Sequence, residues 1–518
     1  MFRSAALLTL LLTAPGFGVC EAPPAWVQKD GLDPDHYPAS RFLTGYGLSS
    51  PGGTDAAQRR QAVAAAEEAL AGAIRTRVSS DFSSRVTQRD QQMSRFAQNL
   101  VRTRADVELD GLDTVLAWPD PRAHVTHALA VLDKPRTLAL LAEKLDRQAQ
   151  ACAAHYDAAR TAGAVPGLLQ ARHLREDLDE GLLVRTVLGG AGAEPAAPAQ
   201  ADIDRELRRI LADRKDLESF VATAALDLGA HLPRGIRVLM DRITYGDTPF
   251  CGSLSAFLEQ ALAGELVTFG QVQMIDKAAG REAIREAGVD QDLAETLRSQ
   301  AVVRGTCFGL GDEVQLNLRI AASTGEELAA TTIRVPVALV RKAGLQLAPE
   351  NLEEASQALE ICAARVEASK LRVKLALDRG DGGIYRRGEK LHLFLKASMD
   401  CYVKLVYHQV DGTNVVIFPN RFHPDARIQK GVLYQVPPDD NSFDLEVDAP
   451  FGAELVKVVA ATVPLELAVA APDANGLRAV QEDLASLVGR TRGIALKQAQ
   501  VQYCEDTVVV NTLEADQP

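Results

Sequence analysis

From Leu371 to Thr462 the chain is written in short alternating blocks. The segments 371–378 (LRVKLALD), 390–398 (KLHLFLKAS), 401–410 (CYVKLVYHQV), 414–419 (NVVIFP), 443–447 (FDLEV) and 454–462 (ELVKVVAAT) carry apolar side chains at alternate positions. A period of two puts those side chains on one face of a strand. Turn residues separate the blocks: Gly380-Asp381-Gly382-Gly383, Asp411-Gly412 and Pro437-Pro438-Asp439. Short strands at regular spacing predict an antiparallel β-sandwich. A last alternating stretch, 499–510 (AQVQYCEDTVVV), returns to it. Within 411–422 (DGTNVVIFPNRF), Asp411-Gly412 fits a hairpin turn and Val415–Phe418 a strand. Pro419 then removes a ladder donor and Asn420 tolerates unusual backbone angles, so the strand stops there.

The chain has 518 residues, too many for one core, so several domains are expected. Arg3, the apolar run Ala5–Ala14 and the small residues that follow describe a secretory signal peptide, too short to anchor as a membrane span. Cys20 stands where a lipidated cysteine would, although Val19 is not the small residue such a site prefers. Export implies an oxidising compartment. The other cysteines, Cys152, Cys251, Cys307, Cys362, Cys401 and Cys504, form no Cys-x-x-Cys pair, which argues against a zinc ribbon or a thioredoxin-like site. One or two disulfides are expected, with Cys251–Cys307 and Cys401–Cys504 as the candidate pairs and buried free thiols as the alternative. Closing the first loop would contribute about 4 kcal/mol. The net charge of −13 speaks against nucleic acid as a partner.

Ahead of the sandwich, 41–50 (RFLTGYGLSS) reads as a strand, and Thr54 or Asp55 caps a helix whose stripe is mainly alanine, so it should lie close against a sheet. A helix over Met93–Arg102 and strands over Ala105–Trp118 and His124–Asp133 complete a small α+β domain. Leucine stripes over 138–145 and 168–182 predict a helical hairpin, and the composition of 189–201 predicts a flexible linker. A second domain then begins. It has a strand over Arg234–Asp247, a helix carrying Leu254–Leu262, a strand through 266–276 and three strands within Ala301–Pro336. The resulting boundaries are 1–20 signal peptide, 24–135 α+β domain, 136–188 hairpin, 189–203 linker, 204–345 α/β domain with hairpin strands, 346–370 connecting helix and 371–518 sandwich.

Three stretches resemble known families. The segments YPASRFLTGYGLS and HALAVLD, with the alanine-rich helix between them, resemble the LPP20-type envelope lipoproteins, which include flagellar basal-disk proteins, over Pro24–Leu132. The segments GIRVLMDRITYGDT, VRGTCFGLGDEVQLNLRI and STGEELAA are similar to the FlgO-like and TolB-N-terminal-like envelope domain, which is related to the lipoprotein CsgG. Pore formation does not carry over, because the paired ten-residue strands of a membrane barrel are missing from the pattern. The segments GEKLHLFLKAS, CYVKLVYHQVDG, VVIFPN, GVLYQVPP and VDAPFGAELVKVVAA, in that order, resemble the domain of unknown function DUF4384.

Motifs for chemistry are few. His124 and His127 are an odd number of positions apart, so on one strand they face opposite ways. Cys152 and His155 share a helix face but leave a zinc site incomplete. Arg379-Gly380-Asp381 and the acidic loop 437–444 read as turns. No Gly-x-Ser-x-Gly, His-Glu-x-x-His, P-loop or dinucleotide fingerprint occurs. No catalytic, cofactor or metal residue is therefore assigned. The reading is a non-catalytic exported protein of the Gram-negative envelope, in the periplasm or on the periplasmic face of the outer membrane. Its partners would be other envelope proteins, with association to outer membrane or peptidoglycan, and the resemblances imply a role in assembling a flagellar or similar machine. The alternatives are a periplasmic hydrolase with a site between domains and an outer-membrane lipoprotein that activates cell-wall synthesis.

Overall fold

The computed structural model describes residues 22–86, 112–230, 232, 234–363, 369–439, 443–472, 477–489 and 501–515. The signal peptide 1–20, Cys20 and the helix expected over Met93–Arg102 lie outside them. The architecture is mixed α+β, with antiparallel and mixed sheets and a β-rich C-terminal region. The described residues fall into two compact units: those up to 86, 112–153 and 173–197, and those of 154–172 and from Pro198 onward.

In the first unit β1 (Phe42–Leu48), β2 (Leu112–Asp120) and β3 (Val125–Asp133) form an antiparallel sheet in the order β1-β3-β2. Short α1 (Ala25–Gln28) precedes it, and the long α2 (Asp55–Val86) starts after Thr54, whose Oγ1 accepts from the Ala57 N–H. Helix α2 lies on β1 at backbone distance. A Cβ on Gly45 would fall 2.3 Å from the Ala66 carbonyl oxygen, and one on Gly47 2.3 Å from that of Ala62. The alanine stripe and the two glycines are halves of one contact. On the other sheet face, Trp26, Tyr37, Phe42, Tyr46 and Trp118 pack around Leu129 and Val131.

Helices α3 (Lys134–Ala162) and α4 (Val165–Val187) form the expected hairpin, joined in this unit by Leu145, Ala149, Leu178 and Leu182. The glycine-rich segment after it makes local contacts with the hairpin. Arg185 donates to the Ala193 and Gly192 carbonyls, each at 3.2 Å, and Ala197 packs against the hairpin leucines.

The second unit opens with α5 (Gln200–Arg214) and α6 (Leu217–Gly229). Its mixed sheet runs β5-β4-β6-β7-β8. The strands are β4 (Arg237–Tyr245), β5 (Gln273–Ile275), β6 (Ala301–Leu310), β7 (Glu313–Ala322) and β8 (Glu327–Pro336). The strand expected through 266–276 is instead the end of α7 (Ser253–Gly270) followed by the short β5. Leu262, Leu266 and Phe269 extend the buried helical stripe, and the left-handed Gln271 (φ 50°) ends it. The short α8 (Gly280–Ala287), α9 (Leu293–Thr296) and α10 (Val337–Lys342) complete the module.

Helix α11 (Leu352–Ala363) leads into the sandwich. One sheet runs β10-β18-β16-β12-β13-β17, with β14 added on β12, and the other runs β15-β11-β9. These are β9 (Val373–Leu377), β10 (Gly383–Arg386), β11 (Leu393–Ala397), β12 (Cys401–His408), β13 (Asn414–Phe418), β14 (Arg427–Ile428), β15 (Leu433–Val436), β16 (Ala453–Ala461), β17 (Arg478–Ala479) and β18 (Tyr503–Leu513). The pairing is antiparallel except for β10 with β18. Leu375, Leu393, Leu395, Val403, Leu405, Val456, Val458 and Val510 fill the space between the sheets. The block 443–447 forms no strand of its own. It meets 389–391 through the Leu391 N–H to the Leu445 carbonyl (2.8 Å) and the Val447 N–H to the Glu389 carbonyl (2.9 Å).

The α/β module and the sandwich share one core. Phe250 packs with Leu455, Val509 and the α11 alanines, and Ile284 and Val289 close over Phe394. Between them lies Asn511, fully buried. Its Oδ1 accepts the Cys251 N–H at 2.9 Å and its Nδ2 donates to the Gly382 carbonyl at 2.9 Å. Arg379-Gly380-Asp381 is used up in the same region. Asp381 accepts the Val509 N–H at 2.8 Å, and Arg379 pairs with Glu389 at 2.7 Å while covering the Tyr385 ring. An Asn511→Ala variant would orphan two buried backbone groups. We expect a loss of about 3 kcal/mol in urea denaturation, and an unchanged midpoint would contradict this account of the junction.

Candidate functional site

The turn after β13 organises a groove on the sandwich. Asn420 Oδ1 accepts the Phe422 and His423 N–H groups, each at 2.9 Å, and its Nδ2 donates to the Ile417 carbonyl at 3.0 Å. This Asx turn swings Phe422 outward, where its ring stacks on Phe443 with centroids 5.4 Å apart and planes at 11°. The guanidinium of Arg421 also lies over the Phe422 ring, 4.6 Å from its centroid. The sequence reading of Pro419 and Asn420 as a strand stop holds, but it missed that the same turn presents an aromatic to solvent.

The groove measures about 950 Å³ and runs between the 418–430 segment and the edge strand β15. Phe418 and Val436 form its buried apolar floor. Tyr434 accepts the Gln429 N–H at 3.0 Å on one wall. On the rim Asp400 accepts the Lys430 N–H at 2.9 Å and Arg427 at 3.4 Å, and Asp425 accepts the Arg427 N–H at 2.8 Å. Asp439, which closes one end, is held by Arg281 and Arg285 of α8, and Arg285 also donates to Gln435 at 2.8 Å. The helix of the neighbouring module therefore fixes that end of the groove. An apolar floor with a few placed polar groups is the composition of a binding site.

A polar island lies elsewhere in the sandwich. Glu454 is buried and accepts from the Tyr407 hydroxyl at 2.7 Å. Burial raises its carboxyl to about 7, against the lowering effect of Tyr407, Thr512 and the Val410 N–H. On the opposite face of β16, the buried Lys457 ammonium meets Glu505 of β18 at 3.0 Å.

The expected disulfides are not formed. Cys251, Cys307, Cys401 and Cys504 are free thiols, as are Cys152 and Cys362. Val403, two positions after Cys401, pairs with Ala460, which pairs with Cys504, so β16 separates the two cysteines. Two strand spacings are about 9.5 Å, beyond the roughly 7 Å between Cα atoms that a disulfide spans. Cys251 instead donates to the Ile243 carbonyl at 3.6 Å, and Cys307 lies 4.0 Å from Ser255 Oγ. Burial pushes the thiols of Cys307 and Cys401 up to about 11 and that of Cys251 higher still.

The histidine pair also separates. His124 sits in the turn before β3 with a left-handed backbone (φ 55°), whereas His127 is on the strand, 2.5 Å from the Tyr46 hydroxyl. Cys152 is buried and His155 exposed. Among the described residues no three His, Cys, Asp or Glu side chains gather as a metal would require. Nor is any of their helices long and apolar enough to cross a membrane.

Residues 384–464 match the family described as a domain of unknown function (DUF4384), a range that contains every residue lining the groove. No curated protein matches the chain. Among solved structures it is similar to the LpoB C-terminal domain from Escherichia coli, at 16% identity over 22% of this chain and 97% of that one, with a TM-score of 0.19. The LpoB C-terminal domain from Salmonella enterica gives 15%, 22% and 98%, with a TM-score of 0.19. The secreted protein HP1454 from Helicobacter pylori gives 9% identity over 56% of this chain and 85% of that one, with a TM-score of 0.21. At these scores the structural likenesses carry no argument about this chain.

Two outcomes follow from the geometry. The native Glu454 carboxyl binds its proton more tightly than the 4.5 of an unburied glutamate, so the folded state holds more protons between about 4.5 and about 7. Stability is then full below that window and falls as pH rises through it, by roughly 3 kcal/mol. Glu454→Gln should flatten this part of a stability-against-pH curve; an unaltered slope would assign it to other groups. Secondly, maleimide labelling of the unfolded chain should modify Cys251, Cys307, Cys401 and Cys504 equally with and without prior reduction, as read by intact mass.

Proposed function

We propose that the chain is an exported cell-envelope protein that acts by binding other envelope proteins and not by catalysis. The observation that carries this reading is the groove. It is open, aromatic at its mouth and apolar at its floor, and its Asp439 end is held by arginines of the neighbouring module. The N-terminal pattern of Arg3 and Ala5–Ala14 supports export. The LPP20-like segment 24–132 and the FlgO-like domain 204–345 support the periplasm, or the periplasmic face of the outer membrane of a Gram-negative bacterium. They also support partners in an outer-membrane or peptidoglycan-associated assembly, such as a flagellar one.

A photo-crosslinking residue at Val432, which is 41% exposed beside the groove, should yield adducts with envelope proteins in the native envelope. The same residue at Val267, 47% exposed on α7, should not. Equal adducts at both positions would remove the groove from the account. Substrate turnover by the purified chain, lost when one buried polar residue is replaced, would overturn the non-catalytic reading.

A further inference from the structure

Strand β15 forms one long wall of the groove: Leu433, Tyr434, Gln435 and Val436 all line it. It is the first strand of its sheet and pairs only with β11, from Leu393↔Val436 to Lys396↔Leu433. In an antiparallel ladder alternate residues turn their N–H and C=O groups away from the partner strand. Among the described residues nothing bonds to those outward groups of 433–436. The opposite edge of this sheet is treated differently, since the Leu375 N–H of β9 is taken by the Asp506 carboxylate at 2.9 Å. An unpaired edge beside an open groove is a template for an extended chain.

The side chains around the groove state what that chain should carry. Asp439 is spent on Arg281 and Arg285, and Asp425 on a backbone N–H. Asp400 is shared between Arg427 and the Lys430 N–H. The ammonium of Lys430 has no carboxylate within ion-pair distance among the described residues, and neither has the guanidinium of Arg421, which rests on the Phe422 ring. A backbone N–H leaves the charge of Asp425 in place, so among the described residues the unpaired cations Lys430 and Arg421 exceed the unpaired rim carboxylates by one. The floor, Phe418 and Val436, accepts apolar side chains.

We infer that the groove takes an extended segment of a partner protein, which adds to β15 as a further strand of the β15-β11-β9 sheet. It would turn alternate apolar side chains to the floor and carboxylates to Arg421, Arg427 and Lys430. This rests on the binding reading above and gives it a mode. Main-chain pairing supplies the affinity, and the alternation and the acidic side chains supply the selectivity.

The test uses the full chain and three fluorescein-labelled peptides. One is the acidic alternating heptapeptide Glu-Val-Glu-Phe-Glu-Val-Glu. The second replaces each Glu by Lys, and the third is the acidic sequence fully N-methylated, which keeps every side chain and loses every N–H. Fluorescence anisotropy should show the acidic peptide binding at least tenfold more tightly than either comparator. Amide exchange at 433–436 should slow when it is bound. The Arg427→Glu/Lys430→Glu variant, altered only on the exposed rim, should reverse the preference between the acidic and lysine peptides while its far-UV spectrum and melting temperature stay unchanged. Equal binding of the N-methylated peptide would overturn strand addition, and equal binding of the lysine peptide would overturn the acidic requirement. No binding at all would overturn the inference. So would a concentration-dependent dimer, seen by sedimentation and abolished by the same variant, because the groove would then serve a second copy. Adducts from Val432 in the envelope would stand in any of these cases, which separates failure of the mode from failure of the function.

Discussion

One side-chain amide sets the relation between two modules. Asn511 sits at the end of β18 with no contact to water, and its oxygen and nitrogen serve backbone groups from different modules, Cys251 on one side and Gly382 on the other. Among the described residues neither group has a second hydrogen bond, so separating the modules would expose both. The apolar contacts follow from this registration. Phe250 enters the sandwich's outer core, α8 is laid over Phe394, and Gly280 comes so close that a Cβ there would lie 2.1 Å from the Asp378 carbonyl oxygen.

The groove depends on the same registration at one remove. Its far end is Asp439, and Asp439 is positioned by two arginines that belong to α8. Without the α/β module that carboxylate would have no fixed cations, and the wall carrying Gln435 would lose its bond to Arg285. The site therefore depends on both modules, although all of its lining falls within the sequence of one.

Much of the fold was legible from the sequence. Alternation located β9, β11, β12, β13 and β16, and the alanines of α2 announced a helix at backbone distance from a sheet, which Gly45 and Gly47 complete. Local signals failed where long-range contacts decide. The stretch 266–276 has the composition of a strand, yet its first half continues a helix because Leu266 and Phe269 fall on the buried stripe. The cysteines were paired by module, but strand order, which sequence alone does not give, places β16 between Cys401 and Cys504. The groove was invisible for a similar reason. Phe422 and Phe443 are twenty-one positions apart and meet only because the Asx turn at Asn420 and the chain after β15 converge. The signal that could have found it was already in view: an aromatic, Phe422, directly after a turn that nothing else in the local sequence explains.

The two borders of the small sheet differ. Asp506 occupies the backbone donor of Leu375 at one border, while at the other the outward groups of 433–436 have no partner among the described residues. A sheet with both borders free can grow without limit by adding copies of itself. This one has a single docking border, so any encounter through it ends after one addition. An accidental meeting of two molecules through this sheet would stop at a pair and could not seed a fibre.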